Sequence, residues 1–245
     1  MTTLFHHDFR LTADETDFNC EMPLSSLVAL IINTATGHAN EIGAGFDRLH
    51  EFGASWVLSR LAIDLLEPVR QGVGYRLDTW VLDLNRIYST RLFELIDTDS
   101  GRTVGWVHSV WMAINVETRR PVDLTAIVGA LAEAADPSHP FGGSPSGRLV
   151  RFDAEPAAEY TRPVRVSEID VNSHLTTRCY IDRLVDLYPL EKYRRERIAR
   201  FEVAFKHEIT YGHPVTASER EGAAQITVEG EVCALASFGF VARES

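Results

Sequence analysis

The sequence predicts an α+β fold made of two tandem copies of one unit, each a long helix wrapped by an antiparallel β-sheet. Three observations predict it. Leu24 to Ile42 is one long apolar stretch with helical character, four strand-like segments follow it, and the order strand, helix, four strands recurs between Tyr160 and Ala242.

The first copy opens with a strand expected over Leu4 to Thr12. Pro23 stands where a first helical turn tolerates proline, and LSSLVALIINTATGHANEI (24–42) is apolar early and small or polar later. That composition suits a helix enclosed by other elements. On its later turns Asn33, Thr34, Thr36 and His38 either line a cavity or are satisfied core polar groups. Strands are expected over Trp56–Leu66, Tyr75–Leu84, Ser89–Ile96 and Thr103–Val116, all rich in β-branched and aromatic residues. Asp97 to Gly101 reads as the hairpin loop between the last two.

From Arg119 to Ala158 prolines and the run Gly142-Gly-Ser-Pro-Ser-Gly147 mark a connector, with a short helix expected over Leu124 to Ala134. Gly142 to Gly147 lacks the Lys-Ser/Thr ending of a phosphate loop. The second copy then places a strand near Tyr160–Val166, a helix over Leu175–Tyr188, and strands near Phe201–Tyr211, Val215–Glu221, Ala223–Glu229 and Val232–Ala242. The expected organisation is 1–120, 121–158 as linker, and 159–245.

Lys and Arg number 24 against 35 Asp and Glu, a net charge of −11, which argues against nucleic acid or an acidic membrane as the principal partner. No apolar run reaches the roughly 18 residues of a membrane span, and the N-terminal decapeptide lacks a signal peptide's basic-then-apolar pattern. Cys20, Cys179 and Cys233 are far apart and odd in number, as suits a reducing cytoplasm. Scattered histidines such as His6, His7 and His213 have no metal-ligand spacing, so no metal or cofactor is expected.

The chemistry-bearing stretch is Asp170-Val-Asn172-Ser-His174. In extended backbone, residues two apart share a face, so a carboxylate, a carboxamide and an imidazole would point together at a helix N-terminus, whose N–H groups favour developing negative charge. The same residues also serve as ordinary helix caps.

The duplication separates the halves. A shift of 153 carries Glu15, Asp17 and Asn19 onto Glu168, Asp170 and Asn172, and Glu21 onto His174; a shift of 146 carries Ile63, Pro68 and Val69 onto Ile209, Pro214 and Val215, and Ala62 onto Glu208. The first half keeps the Asp-x-Asn turn without the imidazole, so one active site is expected, in the second half.

A long helix embraced by an antiparallel sheet is the hotdog arrangement, and two joined by a linker form a double hotdog. Trp56-Val-Leu-Ser-Arg60, Asp78-Thr-Trp80, the D-x-N-x-H at Asp170, Asn172 and His174, and Phe205-Lys-His-Glu208 together resemble the acyl-ACP thioesterases of plant plastids and their bacterial relatives, over nearly the whole chain. Two departures stand out: Leu175-Thr-Thr177 replaces a hydrophobic residue and paired asparagines, and Ile209 replaces a cysteine, which excludes a cysteine nucleophile there.

The resemblance implies hydrolysis of fatty acyl-ACP thioesters, an acyl-binding and catalytically degenerate first unit, and a catalytic second unit using Asp170, Asn172, His174 and Glu208. Glu208 would be the base for water with Asp170 orienting His174; Asp170 as base or nucleophile is the alternative. Helix-terminal N–H groups near Leu175 and the Asn172 amide are expected to hold the oxyanion. Strand alternation places Glu208 with Glu202, Lys206 and Thr210. An acyl-CoA thioesterase and a non-catalytic acyl-binding protein are the other readings. Acyl carrier protein is acidic, and the basic cluster Lys192, Arg194, Arg195, Arg197, Arg200 is its expected docking patch, or else a solvated helix end. A monomer and a homodimer both fit.

Overall fold

The structure is a computed structural model and describes residues 3–243. In chain order its elements are β1 (Leu4–Arg10), α1 (Leu24–Glu41), α2 (Phe46–His50), β2 (Ala54–Leu65), β3 (Gly74–Leu84), β4 (Tyr88–Asp97) and β5 (Thr103–Asn115). The second half continues with α3 (Leu124–Ile127), α4 (Gly129–Glu133), β6 (Ala158–Pro163), α5 (Thr177–Val185), α6 (Leu190–Arg195), β7 (Glu196–Phe205), β8 (Pro214–Arg220), β9 (Ala223–Val228) and β10 (Glu231–Ala242).

The two expected sheets are one. Among the described residues ten strands run antiparallel in the order β1-β3-β4-β5-β2-β7-β10-β9-β8-β6. The seam is the pairing of β2 with β7, from Arg60 opposite Ala204 to Asp64 opposite Arg200. Alternation explains why it holds: Leu61, Ile63, Phe201 and Val203 enter the core, while Arg60, Asp64, Arg200 and Glu202 point to the other face.

Both major helices pack on the core face. In α1 the positions Leu24, Leu27, Val28, Ile31, Ala35 and Ala39 recur three and four apart and are buried. In α5 Tyr180, Ile181 and Leu184 do the same beside a fully buried Arg183. Burial of that guanidinium is tolerable because Nη1 donates to the Arg162 carbonyl, and Nη2 to the Pro163 carbonyl and, at 2.7 Å, to Glu168 Oε2.

The connector crosses the opposite face as a strap. His139 packs on Trp80 at 4.2 Å between ring centroids and Phe141 on Trp106 at 5.5 Å. The Ser144 N–H then donates to Asp64 and the Gly147 N–H to Glu202. Gly142 and Gly143 are required by closeness: a Cβ on either would lie 2.9 or 2.6 Å from the Trp106 side chain. The expected helix at 124–134 is two short turns, α3 capped by Asp123, and α4.

Several boundaries differ from the sequence expectation: β1 ends at Arg10, α5 at Val185, and β7 begins at Glu196, five residues early. Two of the differences bear on the site. The strand expected over Phe201–Tyr211 ends at Phe205, where the Lys206 and His207 N–H groups both turn to the Cys233 carbonyl, so alternation does not reach Glu208. The helix expected from Leu175 starts at Thr177, because Thr176 is its cap and accepts from the Cys179 N–H. No helix among the described residues is long and apolar enough to cross a membrane.

Replacing Arg183 with alanine removes the buried cation that Glu168 Oε2 shares with the Arg165 N–H and leaves the Arg162 and Pro163 carbonyls without its donation. The expected loss is about 3–5 kcal/mol of unfolding free energy, read from urea denaturation midpoints.

Candidate active site

The stretch Asp170 to His174 is a closed turn rather than extended backbone. Asp170 Oδ1 accepts the N–H groups of Asn172 (2.8 Å) and His174 (3.1 Å), its own N–H donates to the His174 carbonyl, and Ser173 takes a φ of 65°. One carboxylate oxygen thus sets the turn, and the i, i+2, i+4 alignment expected of an extended strand does not apply. Asp170 acts on His174 through its backbone.

The first half contains the same turn. Asp17 Oδ1 accepts from Asn19 (2.7 Å) and Glu21 (3.1 Å), the Asp17 N–H donates to the Glu21 carbonyl, and Cys20 has a φ of 58°. Beyond the turns, the Met22 N–H meets the Val69 carbonyl where the Leu175 N–H meets that of Ile209, and Glu21 bridges Arg70 where His174 bridges Thr210. Gly72 and Gly212 follow with φ near 83° in both.

These equivalences correct the second sequence shift from 146 to 140. Pro68, not Ala62, stands in the place of Glu208, and Ala62 corresponds to Glu202, its partner across the seam. The first half still has no carboxylate at that position. Its Glu21, in the place of His174, is buried and held by Arg243 through two bonds of 2.7 and 2.8 Å.

In the second half the turn carries His174 to the segment past β7. His174 Nδ1 lies 3.5 Å from Glu208 Oε2, with the imidazole one quarter and the carboxylate two fifths exposed. Arg119 Nη2 contacts the same oxygen. Oε1 forms no hydrogen bond among the described residues. Arg119 comes from the first half's side of the chain, in the Thr-Arg-Arg-Pro turn after β5 with a φ of 58°. Sequence reasoning missed it, since an arginine in a connector carries no periodic or motif signal.

Tyr180 secures the segment from below. Burial pushes its phenol well above the usual tyrosine range, so it stays protonated and donates to the His207 carbonyl at 3.1 Å. Asn172 is at the exposed tip of the turn and its side-chain amide makes no hydrogen bond among the described residues. The Leu175 N–H, expected to help hold an oxyanion, is already spent on the Ile209 carbonyl at 2.7 Å. Of that expected pair of donors, the Asn172 amide is the one left uncommitted among the described residues.

A crevice of about 40 Å³ opens between α1 and the first half of the sheet, lined by Ala35, Thr36, Ala39, Trp56, Ser89, Arg91, Trp111 and Leu131. Thr36 reaches it; Thr34 and His38 are core groups, Thr34 donating to the Leu30 carbonyl and His38 meeting Arg91, and Asn33 is exposed. Of the basic cluster near α6, Lys192 pairs with Glu196, Arg197 donates to the Leu65 and Leu66 carbonyls, and Arg200 pairs with Asp64 and Glu202. Arg194 and Arg195 are left exposed. A separate open cleft of about 430 Å³, where the connector meets the seam, is lined by Arg60, Arg148, Arg151 and Lys206.

A continuous sheet bearing two helix-wrapped units defines a tandem hotdog protein, and the His174–Glu208 pair lies past its seam. The chain belongs to the acyl-ACP thioesterase family: residues 2–130 match the family's N-terminal domain and residues 153–236 its C-terminal domain. An acyl-ACP thioesterase structure from Bacteroides thetaiotaomicron is 30% identical and superposes with a TM-score of 0.87 over 98% of both chains. The 12:0-ACP thioesterase from Umbellularia californica shares the fold at a TM-score of 0.88, with 15% identity and 99% of both chains covered. The chloroplastic palmitoyl-acyl carrier protein thioesterase of Arabidopsis thaliana is 24% identical over 218 residues, 84% of this chain and 52% of that one. The chain spans about half the length of the curated relatives it matches.

The twin turns make a stability prediction. Asp17→Ala and Asp170→Ala each remove a charged acceptor from two backbone donors, and each is expected to cost about 2 kcal/mol by chemical denaturation, with similar values for both.

Proposed function

We propose that the protein hydrolyses the thioester of fatty acyl-acyl carrier protein and releases the free fatty acid, at one site in its second half. The observation that carries the reading is the Glu208–His174 pair, brought together by the Asp170 turn in a chain of this family.

Water adds to the thioester carbonyl carbon as Glu208 Oε1 takes its proton. The imidazole and Arg119, both at Oε2, hold the carboxylate in place. The Asn172 amide donates to the carbonyl oxygen as it becomes an oxyanion. On collapse the carbon–sulfur bond breaks, the thiolate takes the proton from Glu208, and acid and thiol leave. Asp170 positions the turn: its Oδ1 already holds two N–H groups, which speaks against a role as base or nucleophile at that oxygen.

Acidic carrier protein needs cations near the site. Arg194 and Arg195 of the expected patch lie at the other end of β7, beside Arg243 and the first-half turn, so the cations on the Glu208 side are Arg60, Arg148, Arg151 and Lys206 of the cleft, Lys206 only two residues from Glu208. Together these are the charges that favour the carrier protein over coenzyme A.

Hydrolysis of matched acyl-ACP and acyl-CoA panels tests the reading. Glu208→Gln is expected to lower kcat by about 10²–10⁴ and Asn172→Ala by about 10², while Asp17→Ala keeps wild-type kcat below its melting range. Turnover of coenzyme A thioesters alone would move the protein to that substrate class, and acyl binding without turnover would make it a binding protein.

A further inference from the structure

The crevice under α1 is almost entirely apolar or satisfied. Ala35, Ala39 and Leu131 give it aliphatic walls, and Trp56 and Trp111 give indole faces. Their indole N–H groups are already spent, on the Ala44 carbonyl and Ser109 Oγ, both at 2.9 Å. The Thr36 hydroxyl donates to the Ile32 carbonyl and that of Ser89 to the Asp83 carbonyl.

Arg91 is different. It is 4% exposed, and no carboxylate among the described residues lies within ion-pair distance of it. Burial alone lowers its pKa to about 9, with no acidic neighbour opposing the effect. Nη1 meets His38 Nδ1 at 2.6 Å and Thr79 Oγ1 at 3.4 Å. A guanidinium only donates, so His38 Nδ1 is the acceptor there. Nε and Nη2 make no hydrogen bond among the described residues, on a side chain that lines the crevice. A buried cation without a counter-charge is costly unless something completes its shell.

A space of about 40 Å³ holds a few water-sized groups, the end of a chain rather than its length. The crevice is also on the right side of the seam: Trp56 of β2 lies beyond the last β2–β7 pair, Arg60 with Ala204, in the direction in which the chain runs on from β7 to Glu208. Resting on the thioesterase reading, we propose that this crevice receives the far end of the acyl chain and that Arg91 selects chains whose far end bears an oxygen acceptor, a carboxylate above all. The methylene stem lies on the indoles, and the oxygen completes the guanidinium's shell.

The test compares thioesters of equal chain length ending in methyl, hydroxyl or carboxylate, with the corresponding free acids titrated calorimetrically against the full chain. An oxygenated chain preferred about tenfold or more in kcat/KM, with tighter binding of the matching acid, supports the proposal; Arg91→Met is then expected to reverse the preference toward methyl. Wild-type preference for the methyl-ended chain, in turnover or in binding, overturns it whether or not the variant folds. If no thioester is hydrolysed the thioesterase reading fails, and the calorimetry still decides the role of Arg91.

Discussion

Everything at the site depends on five residue pairs between β2 and β7. They turn two small sheets into one, and they do so with Leu61, Ile63, Phe201 and Val203 at no more than 1% exposure on the helix side. That buried apolar surface, at about 25 cal/mol per Å², holds the two halves of the sheet together at the seam. Because β7 stops pairing at Phe205, the chain leaves the sheet with Glu208 beside the first half. There it meets Arg119 from the connector and His174 from its own half.

The same turn, built twice, has been put to two uses. Asp17 and Asp170 each hold a tight loop by one oxygen, and the next paired residue is Glu21 in one and His174 in the other. Glu21 is neutralised by a two-point bond from Arg243 and closes the chain's C-terminal region onto the first half. His174 stays partly exposed, against a carboxylate with one oxygen unspent. The backbone chemistry is shared; the two turns differ in what the fifth residue meets. The crevice beside α1 likewise has its own character in the first half, where a buried guanidinium faces tryptophan and alanine.

Local patterns made the fold legible. The apolar spacing of α1, the β-branched strands and the Asp97–Gly101 loop follow from side-chain periodicity and turn chemistry, and the structure places them within a few residues of expectation. The Asp-x-Asn-x-His motif was legible too, but its geometry was not. Alternation assumes extended backbone, and a carboxylate that accepts two nearby N–H groups closes it into a turn. The end of β7, the shift of 140 and the merging of the sheets depend on partners far away in sequence. So do Arg119 and Arg91, which belong to no motif and are meaningful only by what lies opposite. The cluster Lys192 to Arg200 shows the converse: a dense run of cations in which Arg197 and Arg200 are already engaged by the neighbouring strand and connector.

The central claim is that one differentiated site, past the seam, takes its acyl group into the first half. The most direct measurement is a crystal structure with a non-hydrolysable thioether analogue of an acyl-pantetheine, with binding stoichiometry measured alongside. The account predicts one ligand per chain, its carbonyl between Asn172, His174 and Glu208 and its chain directed along α1 toward Arg91. A ligand centred on the Glu21–Arg243 turn, or two equivalent ligands per chain, would contradict it.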